Sequence, residues 1–235
     1  MSSPLRLPAE VRTAAATALG ATSFDGEFAW LSWGGTVWRL SAGSSVVYVK
    51  RASALSAERD RLAWLSGRLP VPELIGFYSA EGDEWLLTRE VPGVPLYHPS
   101  IGWEPERTAA RFGGILREIH SIDATTCPFG DNGAGRVFIH GDYCLPNALV
   151  VDGRLTGLVD VGRSGLGDPD DDLAAGLWSL HYNFGHGYGG HFLESYGAEP
   201  MNDRDMERLR RRYGRPARLK RSVRVDRSPA VKRGD

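Results

Sequence analysis

"FIHGDYCLPNALVVDGRLTGLVDVGRSG", residues 138–165, decides how this chain is read. Three short apolar segments, 137–140, 149–151 and 155–159, are punctuated by Gly141, Pro146, Gly153 and Gly157, the pattern of buried strands joined by tight turns. Asp142 and Asn147 fall in the loop between the first two segments, and Asp160 follows the third. A hairpin turning at "DGR" returns the strand before Asp160 alongside the strand after Asn147, so the two side chains can face one pocket. An unpaired carboxylate beside a core is costly, and a bound cation relieves that cost. Asn and Asp oxygens suit a hard ion such as magnesium, which usually takes only one or two protein carboxylates together with phosphate oxygens and water. Asp142 is then left to orient a hydroxyl, which is the division of labour that phosphoryl transfer requires. Each of the three residues, taken singly, is equally well a turn former. The set together points to chemistry.

Outward from this stretch, the chain divides into a strand-rich first part and a helical second part. Residues 9–19 read as a short helix, and 28–40 and 46–50 as strands broken by "WGG" and "SAGSS". Residues 54–68 carry Leu55, Leu62 and Leu65 at helical spacing and stop at Pro70 and Pro72. Two further strands, 74–79 and 85–89, flank the "EGD" turn, which completes a small mixed sheet with one long helix. "VPGVP", residues 91–95, reads as a hinge. Beyond it, 106–120 and 171–180 read as helices. The expected division is a first unit over 1–90, a second over 91–213 and a basic, disordered tail over 214–235.

If the second unit transfers phosphate, the first must supply a cation for it. Lys50 ends the apolar strand "SVVYVK", and Glu58 lies on the stripe of Leu55, Leu62 and Leu65 that should face the sheet. A carboxylate there wants a cation, and Lys50 on the neighbouring strand is the candidate. The competing reading is a surface pair of Glu58 with Arg61 on the same helix. Gly34 and Gly35 in "LSWGGTVWRL" form a turn whose amides can approach phosphate, although a plain hairpin explains them equally; GxxxxGK[ST] is absent.

"HGDYCLPN" followed by "GLVDVGRSGLGDPDDDLA" resembles the aminoglycoside phosphotransferase family, whose pattern is HGDxxxxN, an Asp after a strand, then DxxxDLA. "VDVGR" and "YCLPN" are similar in particular to the branch that phosphorylates the 3'-hydroxyl. The resemblance implies an α+β, protein-kinase-like fold of two lobes, with a small sheet and one long helix in the N-lobe and a mainly helical C-lobe. It implies ATP and Mg2+ as cofactors, Asp142 as catalytic base, and Asn147 and Asp160 as magnesium ligands. Lys50, aimed by Glu58, would steady the phosphates. Backbone groups of Arg89 and Val91 in "LLTREVPGV" would meet adenine, and Tyr48 would cover it. Arg163, Asp168 and Asp172 would support the loop or the substrate, although acids ahead of a helix also cap it.

Two departures from that family bear on the acceptor. Only "DNGAG", residues 131–135, stands where relatives insert several dozen residues of helix that wall the aminoglycoside site. The chain also closes on "RRRYGRPARLKRSVRVDRSPAVKRGD" rather than on an aromatic, acidic end. Residues 204–235 hold 13 Lys and Arg against 4 acids, leaving 15 against 25 for the rest of a chain whose formal net charge is -1. That tail reads as solvated; a nucleic-acid or anionic-surface contact and a change of reading frame are the alternatives.

With 235 residues, 42% of them hydrophobic, the chain can build one large core or two sharing a cleft. The first residues lack the apolar core of a secretory signal, and the two cysteines, Cys127 and Cys144, form neither a zinc cluster nor a disulfide framework. The expectation is a cytoplasmic enzyme, away from membranes. It would transfer the terminal phosphate of ATP to a small hydroxylated acceptor, an aminoglycoside first. Another metabolite, or a nucleotide-binding remnant without useful transfer, are the other readings.

Overall fold

The structure is a computed structural model and describes residues 5–32 and 35–213. Helix α1, Ala9–Leu19, ends where Gly20 turns left-handed at φ 66°. Its residues Val11, Ala15 and Leu19 repeat every fourth position and are buried together. They lie against one face of a five-stranded sheet built from β1 Asp25–Ser32, β2 Gly35–Ala42, β3 Ser45–Ala52, β4 Leu74–Ala80 and β5 Asp83–Arg89. The strand order is β1-β2-β3-β5-β4 and each pairing is antiparallel, where the sequence reads as mixed. Strand alternation in β3 sends Val47 and Val49 into the core under α1, and Tyr48 and Lys50 to the opposite face. Helix α2, Ser56–Leu65, crosses between β3 and β4 and buries Leu62 and Leu65, with Leu55 just ahead of it, in the larger core.

The "VPGVP" segment forms a two-residue strand, β6 Val94–Pro95, which pairs with a strand of the second part. Gly93 is required there, because at φ 118° an added Cβ would stand 2.7 Å from the Val150 carbonyl oxygen. Helix α3, Pro105–His120, starts on a proline suited to its first turn and buries Phe112, Ile115, Leu116 and Ile119. The stretch that decides the fold follows as β7 Val137–Ile139, a short 3-10 turn Leu145–Asn147, β8 Ala148–Val151 and β9 Arg154–Leu158. Strand order β6-β8-β9 makes one small sheet, and β7 pairs with β10, Gly165–Gly167, in another. Three helices close the described chain: α4 Pro169–Phe184, α5 Gly189–Tyr196 and α6 Asp203–Tyr213. Between α3 and β7, residues 121–136 carry turns and one isolated bridge, Gly130 to Leu166, and no helix.

Candidate active site

The loop that follows β7 is fastened from below by Asp172 in the first turn of α4. Its carboxylate is fully buried and accepts the His140 amide at 2.6 Å and the Gly141 amide at 2.8 Å, with His120 Nε2 at 3.2 Å. Two backbone donors and an imidazole satisfy that buried charge. Gly141 has φ 78°, and an added Cβ would stand 2.5 Å from the Arg163 carbonyl oxygen, so only glycine fits where this loop passes the one after Asp160. The His140 ring spans the same gap, with Nε2 3.1 Å from the Val159 carbonyl and Nδ1 3.3 Å from the Asp142 amide. Leu145 N donates to Ser179 Oγ at 2.9 Å, tying the far end of the loop to α4.

This anchoring presents Asp142, Asn147 and Asp160 on adjoining segments. Asn147 Nδ2 donates to the Asp142 carbonyl at 2.9 Å, which leaves Asn147 Oδ1 as the atom able to take a cation. The Asn147 carbonyl accepts from Val159 N at 3.1 Å, placing Asp160 one residue beyond that link. Asp160 sits at φ 59°, an uncommon backbone for a residue with a side chain. From the sheet above, Lys50 Nζ lies 2.6 Å from Glu58 Oε2 and 3.0 Å from Asp160 Oδ1. Arg61, the alternative partner for Glu58, instead donates to the carbonyls of Ser164 at 2.5 Å and Ala57 at 3.0 Å. Glu58 and the loop after Asp160 touch closely, since a Cβ on Gly162 would stand 3.4 Å from the Glu58 Cβ.

Burial works to strip the Lys50 proton, but the Glu58 and Asp160 carboxylates outweigh it and hold the ammonium above its usual range. Burial pushes the Glu58 carboxyl upward, against the pull of Lys50. At 2.6 Å the Lys50 ammonium donates a charge-assisted hydrogen bond to Glu58 Oε2.

The remaining sequence candidates scatter more. Tyr48 shares the Lys50 face of β3 and its ring centroid stands 5.6 Å from that of Trp30. The Arg89 amide donates to the Glu73 carbonyl at 2.9 Å, so it is committed to the sheet, and its guanidinium pairs with Glu73 at the surface. Val91 packs on Gly157, where an added Cβ would stand 2.5 Å from Val91 Cγ1. Gly35 opens β2 opposite Ala52, whereas Gly34 lies outside the described residues, as does the expected tail over 214–235. Arg163 is exposed and contributes its backbone beside Gly141. Asp168 caps α4 by accepting the Asp170 amide at 3.0 Å, and it pairs with Arg136 and Arg212.

The structure adds residues that the sequence did not single out. The Tyr213 hydroxyl, at the end of α6, donates to Asp142 Oδ1. Cys144 Sγ lies 3.6 Å from the same carboxylate oxygen and 3.5 Å from the Tyr213 oxygen. Arg212 reaches Asp170 at 2.6 Å, Asp171 at 3.2 Å and Asp168 at 3.3 Å. No local pattern marks Tyr213, because its partner lies 71 positions away and it stands within an arginine-rich run.

Comparison with known proteins closes the question of kinship. A family model described as "Phosphotransferase enzyme family" matches residues 31–136 and 133–211, two segments that meet where the chain lacks the expected helices. The chain belongs to the aminoglycoside phosphotransferase family. It is 29% identical over 197 residues to an aminoglycoside 3'-phosphotransferase of Niallia circulans, covering 63% of this chain and 74% of that protein. It is 29% identical over 217 residues to a streptomycin 3''-kinase of Streptomyces griseus, covering 68% and 78%. The crystal structure of an aminoglycoside-3'-phosphotransferase of type VIII matches with a TM-score of 0.66 at 25% identity, over 84% of this chain and 97% of that one. A streptomycin–ATP complex of APH(2")-IIa, 16% identical, shares the fold with a TM-score of 0.60.

As a member of that family the chain is a phosphotransferase with an alcohol group as acceptor, and its fold is the two-part kinase-like one. ATP and Mg2+ are the cofactors of such chemistry. The donor set fits that ion: one amide oxygen and one carboxylate are what magnesium takes when phosphates and water complete its shell. Among the described residues no cluster of three or more His, Cys, Asp or Glu is placed to hold a metal ion. Among the described residues, too, no helix is long and apolar enough to cross a membrane.

Proposed function

We propose that the chain transfers the terminal phosphate of ATP to a hydroxyl of a small molecule, with the 3'-hydroxyl of an aminoglycoside as the first candidate acceptor. The observation that carries this is Lys50 held between Glu58 and Asp160, the latter 110 positions away, a bridge that joins the sheet to the turn after β9. Lys50 is thereby aimed at the place where phosphates meet the Asn147 and Asp160 oxygens. Magnesium held by Asn147 and Asp160 would offset phosphate charge when bound. Asp142 orients the acceptor hydroxyl and takes its proton, and Asp172 keeps the loop that carries Asp142 in place. Tyr48 and the segment from Arg89 to Val91 flank the base, in which role the Arg89 carbonyl serves rather than its amide.

The test is Asp142→Ala with nucleotide binding and ADP release measured on the same protein. Transfer should fall by about 10²–10⁴-fold while nucleotide still binds. Equal rates in the two proteins would remove Asp142 from the mechanism.

One observation favours a second acceptor class. Residues 121–136 contribute no helix beside the site, and the acids that open α4 are already engaged by Arg212. An oligocationic sugar needs free carboxylates to read its amines, so a less basic alcohol fits this surface better. Kanamycin, neomycin, simple amino sugars and amino alcohols offered in parallel decide it; ADP release with only the last two removes the aminoglycoside reading.

A further inference from the structure

Among the described residues, the hydroxyl hydrogen-bonded to the Asp142 carboxylate is the chain's own Tyr213. We propose that Tyr213 is an internal acceptor, so that without a small alcohol the chain phosphorylates its own Tyr213 from ATP. The inference rests on the reading of Asp142 as the group that orients the acceptor hydroxyl.

Several contacts fix the phenol in that place. The preceding residue, Arg212, is held by Asp168, Asp170 and Asp171 at the start of α4. The Tyr213 ring stands 5.3 Å, centroid to centroid, from the ring of Trp178 on α4. Cys144 Sγ closes the other side at 3.5 Å from the phenol oxygen. Because α4 also carries Asp172, which fastens the Asp142 loop, one helix positions both the carboxylate and the phenol. Burial, with the neighbouring Cys144 and Asp142, keeps the phenol well above its usual range. It therefore holds its proton and donates it to the carboxylate, the relation an incoming alcohol must adopt.

The step balances with ATP as the only co-reactant. The phenol oxygen forms a bond to the terminal phosphorus as the bond from that phosphorus to the bridging oxygen breaks. The bonding pair leaves with ADP, and the phenol proton passes to Asp142. The single phenol oxygen is then esterified, so each chain reacts once, and the phosphotyrosine brings about −1.5 to −2 charge to the site.

The experiment is to incubate the full chain with ATP and magnesium alone, then measure intact mass and map the modified peptide. One phosphate per chain, on Tyr213, is expected in the unaltered protein and none in Y213F or D142N. The rate per chain should stay constant on dilution. A rate that falls with dilution, or phosphate found only elsewhere, overturns the internal route. The same proteins are then given the alcohol panel. Transfer to an added alcohol with Tyr213 unmodified sinks this inference and leaves the kinase reading standing. Neither self-modification nor transfer to any alcohol, with nucleotide still bound, sinks both.

Discussion

The proposed nucleotide side and the proposed acceptor side of the site are built in opposite ways. On the nucleotide side, Lys50 and Glu58 sit inside a strand and a helix whose apolar positions fix them, and each is matched by an opposite charge. On the acceptor side, Asp142 stands on a loop and meets a tyrosine from α6, the helix that ends the described chain. The first arrangement is set by regular structure and is ready for a phosphate. The second is met by the chain's own Tyr213, so under the proposed function an acceptor has to displace that contact.

The largest expected effect breaks the nucleotide side. Lys50→Ala should cut ADP formation by about 10²-fold or more, as removal of one preorganised charge on a transferring phosphoryl group does. Glu58→Gln should cost less, because Asp160 still holds Lys50 at 3.0 Å. Steady-state rates on both variants check the order. If Glu58→Gln proves the more damaging, aiming matters more than charge.

Next comes the anchor shared by both sides. Asp172→Ala leaves the His140 and Gly141 amides buried without their acceptor, and denaturant unfolding should show a loss of about 2–4 kcal/mol. By contrast Arg212→Ala removes ion pairs that are nearly half exposed, and unfolding should shift by less than about 1 kcal/mol. A shift as large as that of Asp172→Ala would mean that α6 is part of the core rather than a cover on it.

The smallest effect is chemical. Burial and the Asp142 charge push the Cys144 thiol up to about 12. Alkylation at about pH 8 should therefore be slow, because the thiolate is the reactive form and it gains population only as pH rises toward that value. Mass spectrometry after iodoacetamide treatment checks it, and Arg212→Ala should speed the reaction if α6 shields the sulfur.

Most of the fold was legible from periodicity. The helix read over 106–120 is α3 to within one residue, and the stripe of Leu55, Leu62 and Leu65 is buried as its spacing requires. The apolar segments around Asp142, Asn147 and Asp160 became β7, β8 and β9 because alternation and glycine turns are local signals. Helices α5 and α6 were not legible individually. In α6 only Leu209 is buried, and the arginines blend by composition into the basic run that follows. Their pairing was hidden as well: Arg210 and Arg211 bind Glu207 within the helix, but Arg212 finds acids some forty positions upstream. The Lys50–Glu58 pair could be anticipated because both residues sit on predicted faces. The Tyr213–Asp142 contact depends on how two helices dock, which no local pattern encodes.

Beside the chemical role proposed for it, Lys50 has a mechanical one. It ties the sheet to the Asp160 turn of the second part by a charged contact as well as through the continuous chain. Moving the sheet away from that turn must first separate a largely desolvated ammonium from a carboxylate, a contact that a bound nucleotide would take over. Empty and loaded enzyme should therefore differ more in how easily they gape than in how they look.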